Sequence, residues 1–222
     1  MKHQRSRMET PKTLAPQQAR SRESMRKLLE AAADILKELG LDGATIPRIA
    51  QQAGLTPGTI YRRFPDKDAL LETVILDILE RQDEQLRASL TPAKAKQIPL
   101  AVLVEQIIHA MLVSYRANAG LLRAVRQFAQ GREHTAFHKT VCDLEMGTFQ
   151  YLVELFLVHR EEVRHEDPKM AVSFALVSLT GTLIELILAD NDMANWRRVI
   201  PKDDNSLKRE LKRAFLSYLG VA

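Results

Sequence analysis

Helix breakers are scarce in this chain, and most of them fall between periodic segments. Its 222 residues hold nine Gly and nine Pro, and between these the apolar residues recur every three or four positions, the period of one face of an α-helix. No stretch reads as a β-strand and no internal repeat is visible, so the expected fold class is all-α. Residues 22–39 give the first strong helix, with Met25, Leu28, Leu29, Ala32, Ile35, Leu36 and Leu39 on one stripe and Gly40 as its stop. Two short helices are expected inside residues 45–64. After Pro65 a long helix starts at the N-cap Asp66 and turns Leu71, Val74, Ile75, Ile78, Leu79 and Leu86 to a core.

Beyond a loop at Thr91-Pro92-Ala93, residues 98–117 are apolar almost all round, which predicts a helix enclosed by others. Further helices are expected over 121–130, 135–158 and, opened by Pro168, up to about residue 188. The charged stretch 159–167 reads as a loop and 190–206 as irregular. A last amphipathic helix carries Leu207, Leu211, Ala214, Phe215 and Tyr218. Residues 171–189 hold a single charge, Glu185, and are long enough to cross a bilayer. Ser178, Gly181, Thr182 and Glu185 share one face, and this mixed polarity fits a helix packed on protein, so no membrane partner is expected.

Composition narrows the class. Hydrophobic residues at 45% and charged residues at 27% are ordinary for a globular chain. A lone cysteine, Cys142, allows no internal disulfide and no Cys-x-x-Cys site. The N-terminus is charged and polar, without the apolar stretch of a signal peptide, so a cytoplasmic protein is expected. An enzyme lacks parts: there is no Gly-rich phosphate loop, no G-x-S-x-G, no H-E-x-x-H and no nucleophile paired with a base, and no cofactor is expected.

The informative region is residues 43–70, GATIPRIAQQAGLTPGTIYRRFPDKDAL. Thr45 is placed to cap a helix whose inner side is Ile46, Ile49, Ala50 and Ala53, and Pro47 is tolerated in its first turn. Gly54 supplies a turn. Thr56 is a second N-cap with Pro57 at the first helical position, and Leu55 can pack on Ile60 as a hydrophobic staple. Phe64 completes the buried side. Two short helices joined by a glycine turn form a helix-turn-helix, whose second helix enters a DNA major groove. Its outward residues Thr56, Thr59, Tyr61 and Arg62 are of the kinds that meet base edges and phosphates, and Gly58 lets backbone approach closely.

At Thr45, Ile49, Ala50, Ala53-Gly54-Leu55-Thr56, Gly58-Thr59-Ile60-Tyr61, Phe64, Lys67 and Leu70-Leu71 the sequence resembles the TetR family of bacterial transcriptional regulators, over residues 25–75. The resemblance implies an all-helical subunit with a three-helix DNA-binding domain, and a homodimer. It also implies a variable C-terminal domain that senses a small molecule. By the family pattern Thr45, Tyr61 and Lys67 touch phosphates, while Pro57, Gly58, Thr59 and Arg62 lie at or near bases. Arg48 and Thr56 join these candidates. Arg63 stands where the family often has Tyr or His and is a phosphate-contact candidate. Pro57 stands where the family often has a longer polar residue, so by the resemblance reading there rests on apolar contact with a thymine methyl.

Three domains follow: a basic arm over residues 1–21, a helix-turn-helix DNA-binding domain over 22–67, and a ligand-binding and dimerisation domain over 68–222. The expected function is a repressor that binds a palindromic double-stranded DNA operator as a homodimer and is released by a small hydrophobic effector. The last two long helices are the expected pairing surface, with Ser178, Gly181 and Thr182 permitting close approach. Met111, Tyr115, Phe128, Phe137, Met146, Phe149 and Phe174 are the expected effector wall. Glu105, His109 and Arg116 read as a solvated stripe. Two alternatives stay open: a metal-responsive regulator using His134, His138 and Cys142, with Glu145 nearby, and a helical adaptor that keeps a helix-turn-helix. Charge is uneven, with 13 basic and 7 acidic side chains in residues 1–67 against 19 and 21 in residues 68–222. The basic excess therefore lies with the DNA-reading front.

Overall fold

A computed structural model describes residues 14–188 and 201–221. Described residues form helices α1 (Leu14–Gly43), α2 (Ile46–Ala53), α3 (Pro57–Tyr61), α4 (Lys67–Ser89), α5 (Pro92–Lys96), α6 (Leu100–Ala117), α7 (Ala119–Ala129), α8 (Ala136–Leu157), α9 (Pro168–Leu188) and α10 (Asp204–Tyr218). A 3-10 turn at Arg160–Glu162 lies in the charged loop before α9. The all-α expectation is met, and several helices start at the expected signals. Asp66 Oδ1 accepts the Ala69 N–H at 2.8 Å and Thr135 Oγ accepts the His138 N–H at 3.1 Å. The last helix starts inside the stretch expected to be irregular, because Asp203 Oδ1 accepts the Ser206 N–H at 2.8 Å.

Several boundaries differ from expectation. Helix α1 begins at Leu14, eight residues before the expected start, so the end of the basic arm, Arg20 included, lies on it. The rest of the arm, residues 1–13, lies outside the described residues. Gly40 does break the helix, with φ 67°, but helical geometry resumes to Gly43. The expected loop at Thr91-Pro92-Ala93 is the start of α5, because Thr91 Oγ accepts the Lys94 N–H and Pro92 takes the first helical position. Helix α6 is enclosed on one side only, since Val102 and Val113 are exposed. The supposed solvated stripe on α6 faces α10: Glu105 pairs with Lys212 at 2.7 Å and Arg116 with Asp204 at 2.5 Å.

Two apolar cores organise the chain. The head core joins α1–α3 to the first half of α4, through Leu70, Leu71, Val74 and Ile75, and recruits Leu121, Ala124 and Phe128 of α7 with Phe137 and Val141 of α8. The body core joins α5, α6, the second half of α8, α9 and α10. Helix α7 lies directly on α1. A Cβ at Gly120 would stand 2.1 Å from the Lys37 carbonyl oxygen, so glycine is required by the closeness of the two backbones. A division of the chain at residue 67 is therefore not a division of its packing. Helices α6 and α9 have the length and hydropathy of membrane spans. Each lays a buried face on the body core, through Leu103, Ile108, Leu176 and Leu183 among others.

Candidate nucleic-acid interface

Local backbone rules set the reading surface. Gly54 closes α2 in the left-handed region at φ 66°, where L side chains are disfavoured, and the Leu55 N–H donates to the Ala50 carbonyl at 2.8 Å. The chain is thereby turned to place Thr56 at the start of α3, with its Oγ accepting the Thr59 N–H at 3.3 Å. Helical bonding continues past Tyr61, since Phe64 N–H donates to Ile60 O at 3.0 Å. Ile60 is fully buried, Phe64 nearly so, and Leu55 packs against the same core, as the staple requires. This anchoring leaves the opposite face of α3 outward.

On that face the side chains are linked to one another. Thr56 and Thr59 hydroxyls lie 3.0 Å apart, and Arg62 Nη2 donates to Thr59 Oγ at 3.3 Å, which holds the guanidinium over the helix surface. Tyr61 is 56% exposed, and Thr56, Pro57, Gly58 and Arg62 are also exposed. Around Gly58 the nearest atom to an added Cβ is Thr56 Oγ at 4.0 Å, so the backbone stands open to a partner. Thr45 occupies the N-cap position of α2 but, against expectation, its hydroxyl makes no capping bond and is exposed. Arg48 is exposed and reaches Gly43 O at 3.4 Å.

Two basic candidates are held more tightly. Lys67 Nζ donates to Leu41 O at 3.0 Å and ties the end of α1 to the start of α4. Arg63 is half-buried, and its Nη1 is buried without a hydrogen-bond partner. One coupling residue carried no sequence signal. Arg132, in the turn between α7 and α8, pairs with Asp68 on the first turn of α4 at 2.6 Å and stacks on the Phe128 ring at 3.7 Å. Farther along α4, Asp83 accepts from Arg87 at 2.6 Å and from Thr148 of α8 at 2.9 Å.

The family model for bacterial regulatory proteins of the tetR family matches residues 28–74, and that for the tetracyclin repressor-like C-terminal domain matches residues 99–219, more than half of the chain. The chain belongs to the TetR family. Nucleoid occlusion factor SlmA of Haemophilus ducreyi is 24% identical over 169 residues, 75% of this chain and 82% of that protein. The HTH-type transcriptional regulator BetI of Cronobacter sakazakii is 36% identical over 67 residues, 30% of this chain and 33% of that protein. A crystal structure from Mesorhizobium loti, described as a TetR-family transcriptional regulator, superposes with TM-score 0.71 at 18% identity over 90% of this chain and 97% of that one. DNA-binding transcriptional regulation is thus the activity of this TetR-family chain.

The expected effector wall does not come together. Phe128 and Phe137 are 1% and 7% exposed and meet edge to face at 5.6 Å inside the head core, so they are packing residues. Phe174 is exposed on α9 beside Tyr218 of α10, at 5.2 Å, and Met146 is exposed on α8. Only Met111, Tyr115 and Phe149 remain as half-buried groups against the body core. The metal alternative also loses its geometry. His134 precedes the cap Thr135 with φ 76°, off the helix, which leaves His138 and Cys142, 3.8 Å apart, as the only members sharing a face. Among the described residues no three His, Cys, Asp or Glu side chains gather as a metal site.

Proposed function

We propose that this regulator is a cytoplasmic repressor which binds a two-fold symmetric operator as a homodimer and leaves it when a small molecule binds the body. One observation carries this reading: a linked polar array on α3 and an uncovered apolar stripe lie in different cores of one chain. The stripe is formed by Met170, Phe174 and Val177 of α9 with Tyr218 of α10, each 42% or more exposed. It flanks a shallow groove of about 190 Å³ that includes Ser178 and Thr182. Two copies meeting there cover the apolar surface and set two α3 helices on one side of the assembly, which demands a symmetric site. On the DNA side, Thr59 and Arg62 supply base contacts, while Thr45, Tyr61 and Lys67 supply phosphate contacts. The unpartnered Arg63 Nη1 adds a donor whose isolation costs about 1–3 kcal/mol until a phosphate oxygen meets it.

Fluorescence anisotropy with duplex DNA from upstream of the chain's own gene, together with analytical ultracentrifugation, tests the reading. Expected are dimers at micromolar concentration and a footprint with two equivalent halves. Monomers alone, or binding with no preference for any segment of that DNA, would overturn it.

A further inference from the structure

The turn between α7 and α8 is built around one side chain. Gly131 and His134 both lie in the left-handed region, at φ 77° and 76°, and among the described residues His134 is the only non-glycine there. An L residue in that region persists only where its surroundings fix it. Here the fixing bonds converge on Arg132. Its carbonyl accepts from both the N–H and the hydroxyl of Thr135, at 3.1 and 2.8 Å, and its own N–H donates to Ala129 O at 3.2 Å. Beside it, Gly131 N–H donates to Glu133 Oε1 at 3.3 Å. The guanidinium is held at three points as well: Nη1 donates to Phe128 O, the charge sits over the Phe128 ring, and Nη2 donates to Asp68 Oδ2. Phe128 is in turn buried edge to face on Phe137.

Asp68 stands in the first turn of α4, next to Lys67. Three charged residues open that helix, and each has its partner in a different place. Asp66 caps the helix through Ala69 N–H, Lys67 donates to Leu41 O at the end of α1, and Asp68 takes Arg132 from the α7–α8 turn. The bond to Leu41 uses one of the three ammonium donors of Lys67 and leaves two for a phosphate. Where those two point depends on how the first turn of α4 is set, and the bond to Asp68 fixes that turn from a second element. We propose that Arg132 is a positioning residue for DNA binding, acting through Asp68 to hold Lys67 against the phosphate backbone in the ligand-free chain. The Asp68 and Arg132 side chains are 57% and 25% exposed, so water screens their attraction. What the pair supplies is direction, because stacking on Phe128 and two donor bonds leave the planar guanidinium little freedom. The proposal rests on the reading in which Lys67 meets a phosphate.

Salt dependence separates this role from a general loss of structure. Anisotropy titrations of the full, ligand-free chain with duplex DNA from upstream of its gene give the slope of log K against log salt. Lys67→Gln is expected to make that slope shallower by about 0.9 for each bound subunit, and Arg132→Gln to do the same, with affinity lower by about fivefold or more at about 0.1 M salt. The double variant should show no further loss, since Arg132 acts through Lys67. Should Arg132→Gln lower the melting temperature sharply, Asp68→Asn decides. It breaks the same pair while removing a negative charge, so a shallower slope there comes from lost positioning and an unchanged or steeper one overturns the proposal. A full slope in a stable Arg132→Gln beside a shallower one in Lys67→Gln sinks the proposal alone, and further loss in the double variant replaces it with a direct contact between Arg132 and DNA. A full slope in Lys67→Gln removes the phosphate role beneath the proposal and takes both down.

Discussion

Head and body are built from the same apolar side chains, yet they carry function in opposite ways. In the head, each candidate contact residue is set by its own few neighbours: Gly54 turns the chain, Thr56 caps α3, Ile60 anchors it, and Thr59 and Arg62 lie on the opposite face as a result. In the body, the arrangement depends on partners far apart in sequence, such as Asp83 with Thr148, 65 residues on, and Tyr151 with the Leu90 carbonyl, 61 residues back. A site made by local backbone rules can be read from residue order. A site made by helix packing cannot. The two regions are not independent either, because the head core borrows α7 and the start of α8.

That borrowing gives the largest expected effect. Phe128→Ala removes a side chain 1% exposed at the centre of the head core and is expected to cost about 3–5 kcal/mol in urea unfolding, with DNA binding lost as the head loosens. Phe174→Ala, on the uncovered stripe, is expected to leave subunit stability almost unchanged and to weaken self-association in sedimentation. If Phe128→Ala costs less than about 1 kcal/mol, Phe128 lines a cavity and the head ends nearer residue 67.

Glycines separate the regions next. Gly120→Ala places a methyl 2.1 Å from a backbone oxygen of α1 and is expected to cost about 1–3 kcal/mol, since neither backbone can give way cheaply. Gly147→Ala, in mid α8 with nothing within 4 Å, is expected to stabilise by about 0.5–1 kcal/mol. Thermal melts that rank the pair the other way would show that α7 does not ride on α1. Gly58→Ala tests the reading face itself. The protein leaves room for the methyl, so stability should hold, while affinity for duplex DNA upstream of the gene should fall about tenfold through a clash with the partner. Undiminished affinity would move the DNA contact away from α3.

Legibility followed the same division. Periodicity and caps marked most helices, because Asp66 and Thr135 act within one turn of themselves; Asp203 does the same but was hidden in a polar stretch read as irregular. The outward placement of the candidate contact residues on α3 was legible for the same reason, although the free Thr45 hydroxyl was not. Misplaced elements trace to tertiary causes. Helix α1 starts inside the polar stretch expected as an arm, and aromatic residues expected around an effector belong instead to the head core and to the outer face of α9. Arg132 was invisible because nothing at residues 131–134 announces a partner on α4, 64 residues earlier.

The smallest effect concerns the polar strap between α4 and α8. The Arg87 guanidinium, with help from the Thr148 hydroxyl, holds the Asp83 carboxyl below its ordinary value of 3.8. A carboxylate with a lowered folded pKa stabilises the fold fully above its unfolded pKa and loses that contribution as pH falls through the folded value. Asp83→Asn should therefore cost about 0.5–1 kcal/mol at pH 7, a modest figure because the Arg87 side chain is 43% exposed and water screens the pair. The gap in melting temperature between wild type and variant should stay constant from pH 7 down to about pH 4 and close below it. A gap that is absent at pH 7, or that widens in acid, would show that the second half of α4 is held to α8 by Leu86 and its apolar neighbours alone, with no electrostatic strap between them.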